Sequence, residues 1–364
     1  MNQNIENNVS AEGERPPVRI GIVGLGRAAL MEHLPELRQM AGKFRLVAVC
    51  DLLKERRDMI EAEFPGVRMY RRVDDMLDDP EIDLIDIASR SPDHVKHVMA
   101  SLRHNRWTLV ESPMAMSHDE AMMIRAADVK AKGRLIVRQM GAFRPDFMTA
   151  RSVLDDPRLG EVYDVRIRCE DFVRRDDWQS VKRCGGGAAF YACPDLVYQA
   201  LALLRMPAVQ LWSELKRVAS LGDAEDYAHI VLKTRGAATA DIVYSGAELA
   251  SGGPSFEIRG ERGVFSVRPG ARVGTLHVVD PGFKFPRRRS SVRTPPLCDM
   301  HESVPMKDIP VECPAEPGNT GAAAFWNAVY GTVRTASPFP VSLDEAVEPI
   351  RILTLVKNSS PFAK

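Results

Sequence analysis

Two rhythms of apolar and polar positions run along the chain, and one gives way to the other near residue 138. In the first, short apolar runs at 18–23, 44–50, 67–70, 83–88, 108–110 and 135–138 have the length and continuity of buried strands. Between them, the stretches reaching about Met40 and those at 54–64, 74–77, 92–103 and 117–132 carry helical spacing. Local signals agree with those limits. Ser117 with Glu120 reads as a capping box, Gly133 as a stop, and Asn105 as a left-handed residue after a helix. Pro35, inside the first helical stretch, predicts a lost hydrogen bond and a kink. Strands alternating with helices at this pitch predict a parallel, doubly wound sheet.

The second rhythm has a period of two, at 163–169, 209–218, 228–234, 239–244 and 256–267, and predicts half-buried antiparallel strands. Helices around 189–204 and 322–333 are expected to cover one face of that sheet. The segment 281–319 is rich in proline and charge, carries Lys284, Arg287, Arg288, Arg289 and Arg293, and reads as a long loop or arm. Ser342 to Glu345 opens a last helix reaching about Lys357. The fold class is therefore α/β: a doubly wound parallel sheet, then an α+β domain with a mostly antiparallel open sheet. The expected divisions are a disordered tail at 1–17, a first domain at 18–138, a second at 139–341, and a helix within 342–364 packing back on the first.

Composition narrows the function. With 364 residues, two domains can each bury a core unaided by disulfides or metals. Lys+Arg and Asp+Glu both number 49, and the formal net charge of zero removes the long-range pull that would hold the chain on nucleic acid or an anionic membrane. No apolar run approaches the roughly 18 residues that nominate a membrane span. Six scattered cysteines, Cys50, Cys169, Cys184, Cys193, Cys298 and Cys313, form no C-x-x-C pair, and no histidine is spaced to complete a metal site. Reduced thiols, a cytoplasmic location and no bound metal are the expectation. The first residues lack the basic-then-apolar order of a signal peptide.

Against that background Gly24-x-Gly26-x-x-Ala29 stands out, because it follows a strand and opens a helix, and Asp51 ends the next strand. Gly24 permits the turn, Gly26 lets backbone approach a pyrophosphate, and Ala29 keeps the helix close to the sheet. Asp51 suits ribose hydroxyls and repels a 2′-phosphate, so NAD is expected, with NADP left possible by Arg56 and Arg57 one turn further on. The alternative is a glycine turn needed only for packing. There is no G-x-S-x-G elbow and no P-loop, which argues against hydrolase and phosphoryl-transfer chemistry.

The chain resembles the Gfo/Idh/MocA oxidoreductase family from Val18 onward. The resemblance rests on Gly-Leu-Gly at 24–26 with His33 downstream, Asp51, Ile87-Ala88-Ser89 with His94, Glu111-Ser112-Pro113, and Gly185-Gly186-Gly187-Ala188 before a helix. It implies an N-terminal Rossmann domain, a C-terminal domain whose open sheet mediates homo-oligomerisation, and hydride transfer between NAD(P) and a sugar-like or related small molecule. Carried over, it makes Gly24, Gly26, Arg27 and Ala29 the pyrophosphate turn, Asp51 the ribose ligand, Ser89 and His94 part of a loop bordering the cofactor, and Glu111 a neighbour of the nicotinamide ribose.

The catalytic half departs from the family pattern. Ser112 stands where the family has a lysine, and Tyr191 and Asp195 stand where it has an aspartate and a histidine. Tyr191 is the expected proton-exchanging group, provided neighbours lower a phenol pKa of about 10. Asp195, one turn on, is expected to orient substrate, with a cation from Lys182, Arg183 or Arg144. The resemblance places the charged loop at 170–178 near the substrate pocket, while its residues read as a solvated, salt-bridged loop, with Trp178 its most interesting member. A second reading keeps dinucleotide binding and drops turnover, giving a sensor or regulatory protein. A closed crevice beside the nicotinamide position would favour the sensor, an open polar one the enzyme.

Overall fold

The computed structural model describes residues 15–236, 238–250, 252–286, 292 and 302–360. Six strands, β1 (Val18–Val23), β2 (Phe44–Cys50), β3 (Arg68–Tyr70), β4 (Leu84–Ile87), β5 (Trp107–Glu111) and β6 (Leu135–Arg138), form one sheet in the order β3-β2-β1-β4-β5-β6. Every pairing is parallel. The chain reverses its direction of travel between β1 and β4, and that switch point opens a crevice outside the carboxyl ends of the strands. Covering helices are α1 (Leu34–Gln39), α2 (Lys54–Glu63), α3 (Val73–Leu77), α4 (His94–Arg103) and α5 (His118–Lys130). Strands buried on both faces need apolar residues at every position, and β4 is fully buried along its length, with one exception to the chemistry: Asp86.

Local signals are met with informative departures. Pro35 produces no lost bond in mid-helix, because a π-helical turn, Ala29–His33, precedes it and leaves proline in the first turn of α1. Asn105 has φ +54° and Gly133 φ +69°, as their positions suggested. Ser117 accepts the Glu120 N–H at 3.2 Å, but the Glu120 carboxylate accepts the Met116 N–H, so the expected reciprocal bond is displaced by one residue.

The second sheet has eight strands: β7 (Val162–Glu170), β8 (Ala208–Lys216), β9 (Tyr227–Thr234), β10 (Thr239–Ser245), β11 (Phe256–Gly260), β12 (Gly263–Val267), β13 (Val273–Val279) and β14 (Met306–Glu312). Its order is β14-β13-β12-β11-β7-β10-β9-β8. One pair breaks the antiparallel expectation, since β10 runs parallel to β7. The long excursion between them supplies the crossover that a parallel pair requires. The run at 256–267 is a hairpin of two strands rather than one. Strand β14 lies inside the segment read as a loop and pairs with β13; Arg287, Arg288, Arg289 and Arg293, like the tail at 1–14, lie outside the described residues.

Helices α6 (Pro145–Ser152), α7 (Ala188–Tyr191), α8 (Cys193–Leu204), α9 (Gly321–Thr335) and α10 (Leu343–Ser359) complete the molecule. The helix expected at 189–204 is broken at Ala192 (φ −121°, ψ −38°), with Pro194 opening the second piece. Helix α9 does not cover the second sheet. Its Phe325, Trp326 and Val329 share a core with Val18, Leu34 and Phe44 of the first. Helix α10 touches both halves, packing on α8 and on α5. Residues 182–204 are, among those described, the one helical stretch long and apolar enough to cross a bilayer, and 72% of its most apolar 18-residue window is buried inside the protein.

Candidate functional site

A crevice of about 900 Å³ follows the carboxyl ends of the parallel strands from Asp51 and Arg72 at one end to Tyr191 and Asp195 at the other. Its floor is the glycine turn. Gly24 has φ +91°, and a Cβ there would stand 2.6 Å from the Ser89 Cα, so no other residue fits. A Cβ on Gly26, by contrast, would meet nothing within 4 Å. That position is open to the crevice and leaves room for a ligand to meet bare backbone. Helical backbone starts at Arg27, whose first-turn N–H groups lack intrahelical partners. Ala29 is fully buried and lies behind the turn rather than in the crevice.

Asp51 closes β2, where it accepts the Leu25 N–H at 2.8 Å through Oδ2 and the Leu53 N–H at 2.8 Å through Oδ1. Arg56 approaches the same carboxylate at 3.4 Å. Its fixed orientation between two loops leaves lone pairs toward the crevice that it lines. Ser89 also lines the crevice and bonds His97 at 2.9 Å. His94 ties the loops after β4 and β5 together: its ring nitrogens face the carbonyl oxygens of Pro113 (2.8 Å) and Ser89 (2.9 Å). Burial lowers its pKa, so a neutral ring donates to one of the two.

At the inner end sits a buried network the sequence reading did not assemble. His33 has no solvent exposure, and both ring nitrogens meet carboxylates at 2.6 Å, Nδ1 that of Asp86 and Nε2 that of Glu111. Arg138, at the end of β6, pairs with Glu111 (2.8 Å), Glu36 (3.0 Å) and Glu32 (3.5 Å). Burial works against a charged His33, but the charge and hydrogen bond of Asp86, with the bond to Glu111, raise its pKa to about 10. Burial works against an ionised Glu111 as well; His33 and Arg138 outweigh it and bring Glu111 down to about 2. One signal was available: an aspartate inside the apolar run of β4 demands a buried partner.

Adjoining the network are the groups expected to do the chemistry. Ser112 and Asp195 line the crevice, as does Tyr191. The Asp195 carboxylate accepts a hydrogen bond from Gln139, and burial raises its pKa to about 6, with the Glu111 charge pushing in the same direction. Tyr191 shares a 3.1 Å hydrogen bond with Tyr244, and Arg175 lies 5.2 Å over its ring. The expected lowering of its phenol does not occur: burial and Tyr244 raise the pKa well above the ordinary tyrosine value. Because the helix breaks at Ala192, Tyr191 and Asp195 reach the crevice from two short helices rather than from successive turns of one.

Lys182 does not line the crevice. It lies on a turn ahead of Gly185, where its backbone N–H donates to Asp223. Arg144 is tied to Asp146 and Arg183 is exposed, and neither lines the crevice. The loop read as solvated contributes instead, since Arg175, Asp177, Trp178 and Gln179 all border the opening, with Arg175 paired to Asp177 at 2.6 Å.

Comparison with known proteins accords with this geometry. The model of the oxidoreductase family with an NAD-binding Rossmann fold (GFO_IDH_MocA) matches residues 18–139, and that of the GFO/IDH/MocA C-terminal domain matches 147–266. The scyllo-inositol 2-dehydrogenase (NADP(+)) IolW of Bacillus subtilis is 23% identical over 350 residues, covering 94% of this chain and 94% of its own. An uncharacterized oxidoreductase of Schizosaccharomyces pombe is 26% identical over 68% of this chain and 70% of its own. Among solved structures, an aldose-aldose oxidoreductase from Caulobacter crescentus superposes with a TM-score of 0.76 at 17% identity, covering 94% of this chain and 97% of that one. Two family models in tandem, on the sheet that carries the glycine turn and on the sheet behind Tyr191 and Asp195, place the chain in the Gfo/Idh/MocA family of NAD(P)-binding oxidoreductases.

Proposed function

We propose that the protein transfers a hydride between a nicotinamide dinucleotide and a hydroxyl or keto carbon of a sugar-like small molecule. The observation that carries this is the crevice itself, which joins a dinucleotide turn to a polar wall containing a carboxyl poised at about 6. The residues present fit the cofactor: Gly24 and Gly26 leave the space a pyrophosphate fills, and Asp51 is oriented for ribose hydroxyls, in keeping with NAD. When bound, the nicotinamide ring supplies the hydride acceptor or donor. Asp195 takes or returns the hydroxyl proton, as its pKa lies near working pH. Tyr191, kept protonated, serves as a hydrogen-bond donor to the substrate oxygen, and Ser112 borders the same crevice. Trp178 offers an apolar face on which a sugar ring can stack. The crevice is open and polar, which supports turnover over the sensor reading.

Relatives with printed activities include inositol dehydrogenases, an aldose-aldose oxidoreductase and a dehydrogenase of a dihydroxycyclohexadiene, and the first two favour a cyclic polyol or sugar as substrate. We also assign the outer face of the second sheet to a homo-oligomer contact. The decisive experiment uses NADH deuterated at the nicotinamide C4, on each face in turn, with a metabolite extract and a panel of inositols and aldoses. Labelled product from wild type that is lost in Asp195→Asn is the expected result. Firm NADH binding with no label from either face removes the enzyme reading in favour of the sensor.

A further inference from the structure

The buried network at the inner end of the crevice is more than hydride transfer requires. Three buried or half-buried carboxylates, Glu36, Asp86 and Glu111, surround two cations, Arg138 and the protonated His33, for a formal balance of −1, and the exposed Glu32, 3.5 Å from Arg138, adds a further negative charge at the rim. Trp326 adds a neutral donor to Glu36 at 2.7 Å, and the remaining oxygen of Asp86 has no partner among the described residues. Buried charge left uncompensated works against folding, so an arrangement that keeps a surplus negative charge calls for a gain elsewhere. Three members of the network, Glu32, Glu111 and Arg138, line the crevice. A nicotinamide ring carries a positive charge when oxidised and none when reduced. Fixed charges beside a ligand discriminate between two such charge states of it.

We propose that this network is a fixed negative field at the nicotinamide end of the crevice that favours the oxidised, cationic ring over the reduced one, with Glu111 as its crevice-facing group and His33 and Arg138 as the positioning residues that hold Glu111 in place. The inference rests on the dinucleotide reading above and adds to it a role in setting the redox preference of the bound cofactor.

Dissociation constants for NAD+ and NADH, measured by calorimetry on the full chain, test it. In Glu111→Gln the ratio Kd(NAD+)/Kd(NADH) is expected to rise about tenfold, equivalent to roughly 1.4 kcal/mol. Glu111→Asp, which keeps the charge, is expected to leave the ratio near that of wild type. Glu32→Gln removes the half-exposed charge at the rim of the network, and it is expected to move the ratio the same way by a smaller factor. Asp51→Asn, at the adenosine end common to both forms, weakens both and leaves the ratio alone. Binding intact with a ratio unmoved in both Gln variants overturns the inference and spares the dinucleotide reading. Wild type that binds neither NAD+ nor NADH overturns that reading and the inference with it.

Discussion

At the scale of single residues, the site is governed by what burial does to ionisable groups. Asp195 and Glu111 are both carboxyls in the same crevice, yet their pKa values are driven apart, to about 6 and about 2. Glu111 has two cations beside it, whereas Asp195 has the neutral Gln139 amide and feels the Glu111 charge. Divergent pKa values in neighbouring carboxyls separate a permanent charge from a proton carrier. If Asp195 is the base in alcohol oxidation, only its carboxylate form works, so the rate rises with pH up to about 6 and then levels. Asp195→Asn is expected to remove that acidic limb and to lower kcat by about 10²–10⁴-fold. A pH–rate profile of both proteins checks this, and a limb that survives in the variant assigns the proton to another group. Gly24 is constrained by sterics. Its φ of +91° and the 2.6 Å approach to Ser89 mean that Gly24→Ala strains the turn, and a loss of roughly 1–3 kcal/mol is expected in urea unfolding, together with weaker NADH binding.

At the scale of elements, the strands of the first sheet and the dinucleotide turn were legible because each rests on a local rule: continuous apolar runs, a glycine pair, an acid at a strand end. The buried network was not legible, since His33, Asp86, Glu111 and Arg138 are contributed by four separate elements and meet only when those elements assemble. The break at Ala192 was missed for the opposite reason. Apolar spacing continues unbroken from Ala188 to Leu204, and Pro194 was the local sign that one helix becomes two. Helix α9 was assigned to the wrong sheet because periodicity gives the face a helix buries and not its partner. The network also bears on stability. His33 titrates at about 10 when folded against 6.5 for a free side chain, so its contribution is complete below pH 6.5 and is lost as pH rises through 10. His33→Asn is expected to destabilise by roughly 3–5 kcal/mol near pH 6, the magnitude for breaking a buried pair. The gap from wild type should narrow steadily toward pH 10 in urea titrations; a gap independent of pH would mean that His33 is neutral in the folded protein.

At the scale of the whole molecule, the second sheet has one face covered by helices and one that no helix among the described residues covers. Its inner face carries Val165, Ile167, Ile230 and Ile242 on the side covered by α7 and α8, while α6 covers β11, β12 and β13. On the other face, by the alternation of the strands, stand Arg168, His229, Val231 and Asp241, with Trp212 on β8 half exposed at 52%. Trp212 packs edge-on against His229, which itself bonds Asp241 at 2.8 Å, and Asp241 pairs with Arg168 at 2.9 Å. A tryptophan set among satisfied ion pairs has the anatomy of an interface centre within a polar rim. The chain's formal charge of zero places no long-range repulsion between two copies meeting there. A stable contact needs about 800 Å² from each partner, which a sheet of eight strands can supply. Trp212→Arg puts a charge at that centre, so light scattering coupled to size exclusion is expected to give the monomer mass of 40.4 kDa for the variant and a multiple of it for wild type. Because Trp212 is not among the residues that line the crevice, NADH binding should persist in the variant. Wild type at the monomer mass would leave the outer face without this role, and a variant that stays oligomeric would move the contact to another surface.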